Sequence, residues 1–315
     1  MGKVCAVCIS EKKGTQKHPV EEATLLENWG IEGDAHGGTW HRQVSLLSAE
    51  RIEQFRERGA EVGEGAFGEN IVTQGIDWRN LPVGTCFQIG NALLELTQIG
   101  KECHNHCAIY QVMGECIMPR EGVFAKVLRG GKIQTGEAIE ILPLQKARPF
   151  TAAVITLSDR GAQGEREDKS GPLMQRILEK AGYRVEERLL LPDDKTKLER
   201  QLRRLSDQRQ VQVIFTTGGT GFSERDITPE ATLAVCDRMA MGIAEAIRQY
   251  SLTITNRAML SRAVSGIRKK TLIVNLPGSP KAVQESLEYI LPALQHGLGV
   301  LRGTDGECGG EGRKD

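Results

Sequence analysis

Residues 211–230, VQVIFTTGGTGFSERDITPE, constrain the fold more than any other stretch. The apolar Val211, Val213, Ile214 and Phe215 predict a buried strand that runs into Gly218-Gly219-Thr220-Gly221. Three glycines and one hydroxyl residue make a loop whose N–H groups can approach an anion without interference from Cβ atoms. Asp226 follows, then Thr228-Pro229-Glu230, which reads as an N-cap, a first-turn proline and an acidic first turn of a helix. A strand, a glycine loop, an acid and a helix start are the parts of a phosphate and Mg²⁺ site. The glycines taken alone are equally consistent with a tight turn; their surroundings favour the site.

At 315 residues the chain is too long for one ordinary core, and two domains are expected. Lysine plus arginine equals aspartate plus glutamate at 41 each, so no net field favours nucleic acid or a membrane surface. Only 4% of residues are aromatic, which also disfavours base-stacking surfaces. No apolar run approaches a bilayer span, and the start MGKVCAVCISEKKG lacks a secretory apolar core and cleavage site. The 8 cysteines are too sparse for a disulfide scaffold, and their clustering suggests thiol or metal chemistry in a reducing cytoplasm.

In the first half, residues 3–10 read as a strand in which Cys5 and Cys8 should face opposite sides, favouring core packing over a redox pair. One helix is expected from Ser48 to the stop at Gly59. Short strands follow at 70–73, 85–89, 93–97 and 138–142, with Gly90-Asn91 as a hairpin signal. That pattern predicts a small β-barrel. Residues 101–116, KECHNHCAIYQVMGEC, concentrate Cys103, His104, His106, Cys107 and Cys116. Three readings stand: buried cysteines with exposed histidines, a structural zinc site, or a thiolate activated by Lys101 or the histidines.

GIEGDAHGG, WHRQVSLLS, FGENIVTQGID, VGTCFQIGNALLELTQIG and the cysteine beyond them resemble the MOSC domain over residues 4–142. The resemblance implies a β-barrel that binds a molybdenum or tungsten cofactor through one cysteine, as metal ligand or sulfur carrier. Cys103 matches that position, with Cys107 as second choice, and a soft thiolate suits such a metal. Glu102 stands where the family commonly has proline.

The second half alternates apolar runs with helical patterns. Residues 152–157 and 271–276 read as strands buried on both faces, 183–191 as another, with helices at 171–181, 195–205, 231–250 (broken near Gly242) and from Lys281. Four strand ends carry polar or glycine-rich termini: Ser158-Asp159-Arg160, Pro192-Asp193-Asp194, the glycine loop, and Asn275 to Pro280. In a parallel sheet those ends share one edge, where open α/β sheets bind ligands.

TLSDR, LLPDD, TTGGTGFSERDITPEAT, AMLSR, SGIR and NLPGSPKAV, in this order, resemble molybdopterin adenylyltransferases over residues 152–302. The resemblance implies adenylylation of molybdopterin by Mg-ATP with release of pyrophosphate, in a chain that is commonly trimeric. It also implies site roles. Asp193 and Asp226 would organise Mg²⁺. Gly218, Gly219, Thr220 and Gly221 would meet phosphate, and Ser158 and Asp159 would lie at the pterin end. Ser261, Asn275, Pro277, Gly278 and Ser279 would complete the pocket. The plain alternatives are a helix cap for Asp193 or Asp226, a turn hydroxyl for Ser261, and turn-shaping for Pro277-Gly278.

The expected architecture is therefore a mostly-β barrel at 1–145, a linker at 146–150, an α/β domain with a mainly parallel sheet at 151–303, and a flexible tail at 304–315. The expected role is in molybdenum or tungsten cofactor biosynthesis, with molybdopterin molybdotransferase or a recipient molybdoenzyme as partner. The rival is a non-catalytic pterin carrier with a zinc-bound first module. A carrier has no need of both Asp193 and Asp226.

Overall fold

The structure is a computed structural model and describes residues 2–103, 108–145 and 148–304. His104, His106, Cys107, part of the expected linker and all of the expected tail beyond Thr304 lie outside the described residues. The chain divides into two compact units, Met1–Gln145 and Lys146–Asp315.

The first unit contains β1 (Gly2–Ile9), β2 (His18–Val20), β3 (Glu22–Leu26), β4 (Gly30–Ile31), β5 (Val44–Ser48) and α1 (Ala49–Arg56). It continues with β6 (Ile71–Gln74), β7 (Cys86–Ile89), β8 (Ala92–Ile99), α2 (Ala108–Met113), α3 (Met118–Glu121), β9 (Val123–Arg129), β10 (Gly131–Gln134) and β11 (Ala138–Ile141). The strand order is β11-β7-β8-β9-β5-β6-β1, and β1 pairs back onto β11, closing a barrel of seven strands. Closure leaves those strands no edge. The inside is filled by Val4, Val7, Leu46, Ile71, Phe87 and Leu94, while α1 covers an outer layer with Ile52 and Phe55.

The two cysteines of β1 do not alternate as expected. Pairing with β6 shifts register between Val4 and Ala6, leaving Cys5 as the extra residue of a β-bulge. The bulge puts Cys5 and Cys8 together in the outer apolar layer, not on opposite faces. Burial pushes the Cys8 thiol up to about 12 and raises Cys5 as well, so both are packing groups.

The second unit contains β12 (Thr151–Leu157), α4 (Asp159–Ala162), α5 (Ser170–Lys180), β13 (Arg184–Leu191), α6 (Lys195–Asp207), β14 (Val213–Thr217) and α7 (Thr228–Val235). It ends with β15 (Arg238–Met239), α8 (Met241–Leu252), β16 (Ser265–Arg268), β17 (Thr271–Leu276) and α9 (Pro280–Arg302). The sheet order is β13-β12-β14-β17-β16-β15. The first four strands are mutually parallel, and β16 runs against both of its neighbours, β17 and β15, so the sheet as a whole is mixed.

Successive residues of the central strands serve opposite faces. Val154, Phe215 and Val274 pack under α5, α8 and α9, whereas Ile155, Ile214 and Ile273 pack under α6 and α7. Double-sided burial is why these strands read as unbroken apolar runs.

The helix expected at 231–250 is two helices. Its interruption is the short strand β15 at Arg238–Met239, not Gly242, which lies in the first turn of α8. Sheet pairing of β15 with β16 overrides local helix propensity there.

Candidate functional site

Parallel register decides which strand ends meet. Leu157 pairs with Leu191, Thr156 with Thr217, and Thr217 with Leu276, so four chain segments leave the sheet along one rim.

Asp159 and Asp193 bind each other across that rim: the Asp193 carboxylate accepts the Asp159 N–H at 3.1 Å, and the Asp159 carboxylate accepts the Asp193 N–H at 3.1 Å. Asp193 is thus no helix cap; Asp194 caps α6, accepting the Lys197 N–H at 3.0 Å. Arg225 forms an ion pair with Asp159. Ser158 caps α4 through its hydroxyl, which accepts the Gly161 N–H at 3.1 Å.

The glycine loop needs its glycines. Gly218 has φ +92°, and a Cβ there would lie 2.4 Å from the Leu157 carbonyl oxygen. Gly219 has φ +64°, and a Cβ would lie 2.5 Å from the Thr228 hydroxyl and 3.4 Å from the Asp193 carboxylate. At Gly221 the Cβ would sit 2.9 Å from the Asp226 carboxylate. Both expected acids therefore flank the loop. Thr228 is not the N-cap of α7; its hydroxyl donates to the Gly218 carbonyl at 2.9 Å and its N–H to the Gly219 carbonyl at 3.0 Å. Asp226 caps no helix either: its carboxylate accepts the Ser223 N–H at 2.9 Å, closing a turn.

Thr220 is nearly buried, and its carbonyl accepts the Arg262 N–H at 2.9 Å. The Arg262 guanidinium donates to the Gly221 carbonyl at 2.6 Å and the Asp226 carbonyl at 2.5 Å, and pairs with Glu230. The residue pattern points instead to the neighbouring Ser261, whose hydroxyl accepts the Ala263 N–H at 3.4 Å. The only signal of the clasp in the sequence is an arginine directly after Ser261.

On the far side of the loop, Thr217 donates to the Pro277 carbonyl at 2.6 Å, and a Cβ on Gly278 would lie 3.5 Å from Gly218 Cα. The Gly278 carbonyl accepts the Ser170 hydroxyl at 3.1 Å, which ties the start of α5 to the rim, another contact that the pattern did not reveal. Ser279 caps α9, accepting the Ala282 N–H at 3.3 Å.

Asn275 departs from its expected role. It is fully buried; its amide nitrogen donates to Thr216 and Thr232 at 2.9 Å each, and its oxygen accepts the Val264 N–H at 3.2 Å. Nothing of it is left to touch a ligand, and it braces the sheet beneath the rim.

Burial pushes the Asp193 carboxyl up, and the charges of Asp159 and Asp226 push it further, against the Asp159 N–H and Arg225. A raised acid among other acids is a place where a cation is welcome. Among the described residues no three acidic, histidine or cysteine side chains converge tightly enough to hold a metal alone. Mg²⁺ takes one or two carboxylates and completes its shell with phosphate oxygens and water. Asp193 and Asp226 are the residues that would hold it.

The first unit has its own cavity of about 500 Å³, lined in part by His36, Trp40, Arg42, Lys101, Cys103 and Cys116. Cys103 is exposed. The Arg42 guanidinium stacks 4.7 Å from the Trp40 ring centre. Behind His36 lies a buried ion pair between Lys17 and Asp34. Burial opposes ionisation of Asp34, but hydrogen bonds from His36, Lys17 and the Ser10 N–H prevail and hold it well below the usual carboxylate range.

The family described as "Probable molybdopterin binding domain" matches residues 153–296, and "MOSC domain" matches residues 32–140. The molybdopterin adenylyltransferase of Helicobacter pylori is 40% identical over 156 residues, 48% of this chain and 87% of the relative. That of Haemophilus influenzae is 45% identical over 140 residues, 44% of this chain and 71% of the relative. Among solved structures, the molybdopterin biosynthesis enzyme MoaB from Thermus thermophilus covers 49% of this chain and 97% of its own at 42% identity, with TM-score 0.47. The tungsten cofactor synthesizing protein MoaB from Pyrococcus furiosus covers 49% and 98% at 36% identity, with TM-score 0.45. By relatedness over most of the length of such enzymes, this chain belongs to the molybdopterin adenylyltransferase family and carries a MOSC domain besides.

Proposed function

We propose that the second unit transfers AMP from Mg-ATP to the terminal phosphate of molybdopterin, releasing pyrophosphate. The observation that carries this reading is the meeting of the Gly218–Gly221 loop with Asp193 and Asp226 on one rim. A phosphate oxygen of the pterin is already a nucleophile, so the residues here need only align two anionic substrates and neutralise charge. The loop N–H groups and Thr220 face phosphate, with Thr228 and Arg262 holding the loop in shape. Asp193 and Asp226 receive Mg²⁺, which when bound supplies charge neutralisation to the polyphosphate. Ser158, Asp159, Pro277, Gly278 and Ser279 border the same rim and serve the pterin end.

The first unit binds or modifies the molybdenum or tungsten cofactor, with Cys103 as the metal-ligating or sulfur-carrying thiol at its cavity. The chain acts in the cytoplasm, where it passes its product to a molybdopterin molybdotransferase or a recipient molybdoenzyme. Among the described residues no helix is long and apolar enough to cross a membrane. Exposed Leu252, Ile254, Met259 and Leu260, on and just after α8, support a homo-oligomer, read as a trimer of second units.

The test is incubation of the full chain with molybdopterin, ATP and MgCl₂, following pyrophosphate and adenylylated pterin. Asp226→Ala is expected to abolish both products with the circular dichroism spectrum unchanged. Full activity of that variant would reject the assignment.

A further inference from the structure

The turn between the glycine loop and Asp226 holds a side chain that nothing above uses. Phe222 is 71% exposed, while both of its neighbours touch the Asp226 carboxylate: Ser223 N–H donates to it at 2.9 Å, and Gly221 approaches so closely that a Cβ would lie 2.9 Å away. The backbone around it is pinned from the other side as well. Arg262 donates to the carbonyls of Gly221 and Asp226, which bracket the turn, and its own N–H donates to Thr220. Arg262 is in turn paired with Glu230 on α7.

A large apolar ring that stays in water is unfavourable, and a flexible loop would relieve this by folding the ring inward. Here the pinned backbone denies that relief. A rigid pedestal carrying an uncovered aromatic ring, one residue from a phosphate loop, is suited to a flat partner.

We propose that Phe222 is a stacking platform for the flat nitrogen heterocycle of a phosphate-bearing substrate, the adenine of ATP or the pterin of molybdopterin. The proposal rests on the adenylyl-transfer reading and adds which residue recognises the ring as distinct from the phosphates. Stacking tolerates different rings, because every such heterocycle has a π-face. Specificity between the two is then set by where each substrate's phosphates sit in the loop.

The experiment measures equilibrium binding of ATP, molybdopterin and inorganic tripolyphosphate, each with MgCl₂, by calorimetry on the full chain. It compares the native chain with Phe222→Ala, Phe222→Leu and Phe222→Trp. Alanine and leucine are expected to weaken one of the two heterocyclic ligands about tenfold, tryptophan to restore it, and tripolyphosphate to bind all four proteins alike. A loss confined to ATP assigns the platform to adenine, and a loss confined to molybdopterin assigns it to the pterin. Equal binding of both ligands by Phe222→Ala overturns the proposal. So does full retention by leucine, which keeps apolar bulk without a flat face. An equal loss for tripolyphosphate overturns it too, as does a drop in the solution mass of Phe222→Ala, which would make the ring an interface contact. Binding reads the platform whether or not adenylylated pterin forms, so a failure of the catalytic reading is seen separately in the turnover assay.

Discussion

Asp159 and Asp193 hold each other by their backbones: each carboxylate accepts the other's N–H at 3.1 Å, across the ends of two neighbouring parallel strands. The pairing aligns two acids that repel, and the repulsion is relieved in part by Arg225. A strained electrostatic arrangement of this kind gives the rim a measurable pH signature.

Asp193 is pushed up from its ordinary 3.8 by burial and by Asp159 and Asp226, so the folded chain holds its proton more tightly than the unfolded chain does. Its contribution to stability is complete below the ordinary value and fades as the pH rises through the raised folded value. Urea unfolding from pH 4 to pH 7 should therefore show Asp193→Asn gaining on the native chain as pH rises. MgCl₂ should narrow that gap by stabilising the native chain. A constant difference at every pH would exclude this account.

Arg262 supplies a guanidinium to two loop carbonyls and Glu230. Arg262→Ala is expected to destabilise the second unit by about 2 kcal/mol, the usual size for a charged hydrogen-bonding group lost. Adenylylation should fall at least tenfold, with partial recovery in Arg262→Lys. Unfolding curves and steady-state rates check the two parts separately.

Gly218→Ala should be worse than its single methyl suggests. The site has φ +92° and the new Cβ would lie 2.4 Å from a backbone oxygen, which cannot move aside as a side chain can. The left-handed conformation alone costs about 1–2 kcal/mol, and the clash adds to it. Loss of product formation together with a lowered Tm is the expected result.

Asn275→Ala tests whether this residue braces the sheet or touches a ligand. Removal strands Thr216, Thr232 and the Val264 N–H in the core, at about 1–3 kcal/mol for each group left unsatisfied. Stability should drop by several kcal/mol while KM for both substrates in the folded fraction stays within about twofold. A raised KM with normal stability would restore Asn275 to the ligand.

In the first unit, Asp34→Asn leaves Lys17 in a site where both side chains are only 1% exposed. Breaking such a buried pair costs about 3–5 kcal/mol. Because the Asp34 carboxyl is held low in the fold, its contribution is present above its ordinary 3.8 and is lost as pH falls. The advantage of the native chain over Asp34→Asn should therefore be full at pH 7 and begin to shrink below pH 3.8, being smaller but not abolished at pH 3, as read by unfolding at the two pH values.

The residue pattern by itself determined the central strands of the second unit, since runs such as residues 152–157 can be buried only on two faces. It also determined the glycine loop, whose positive φ values at Gly218 and Gly219 favour glycine over residues that carry a Cβ. Tertiary structure alone decided what those parts touch. Hydrogen bonds between distant segments, Asp193 to Asp159 and Arg262 to Gly221, follow from strand order and register, which leave no local period in a sequence. Asn275 reads as a pocket residue for the same reason, since only the packing of β14 and α7 around it shows that its amide is already used. The bulge at Cys5 and the short strand that splits the expected 231–250 helix are likewise set by a partner strand, whose pairing energy outweighs local preference.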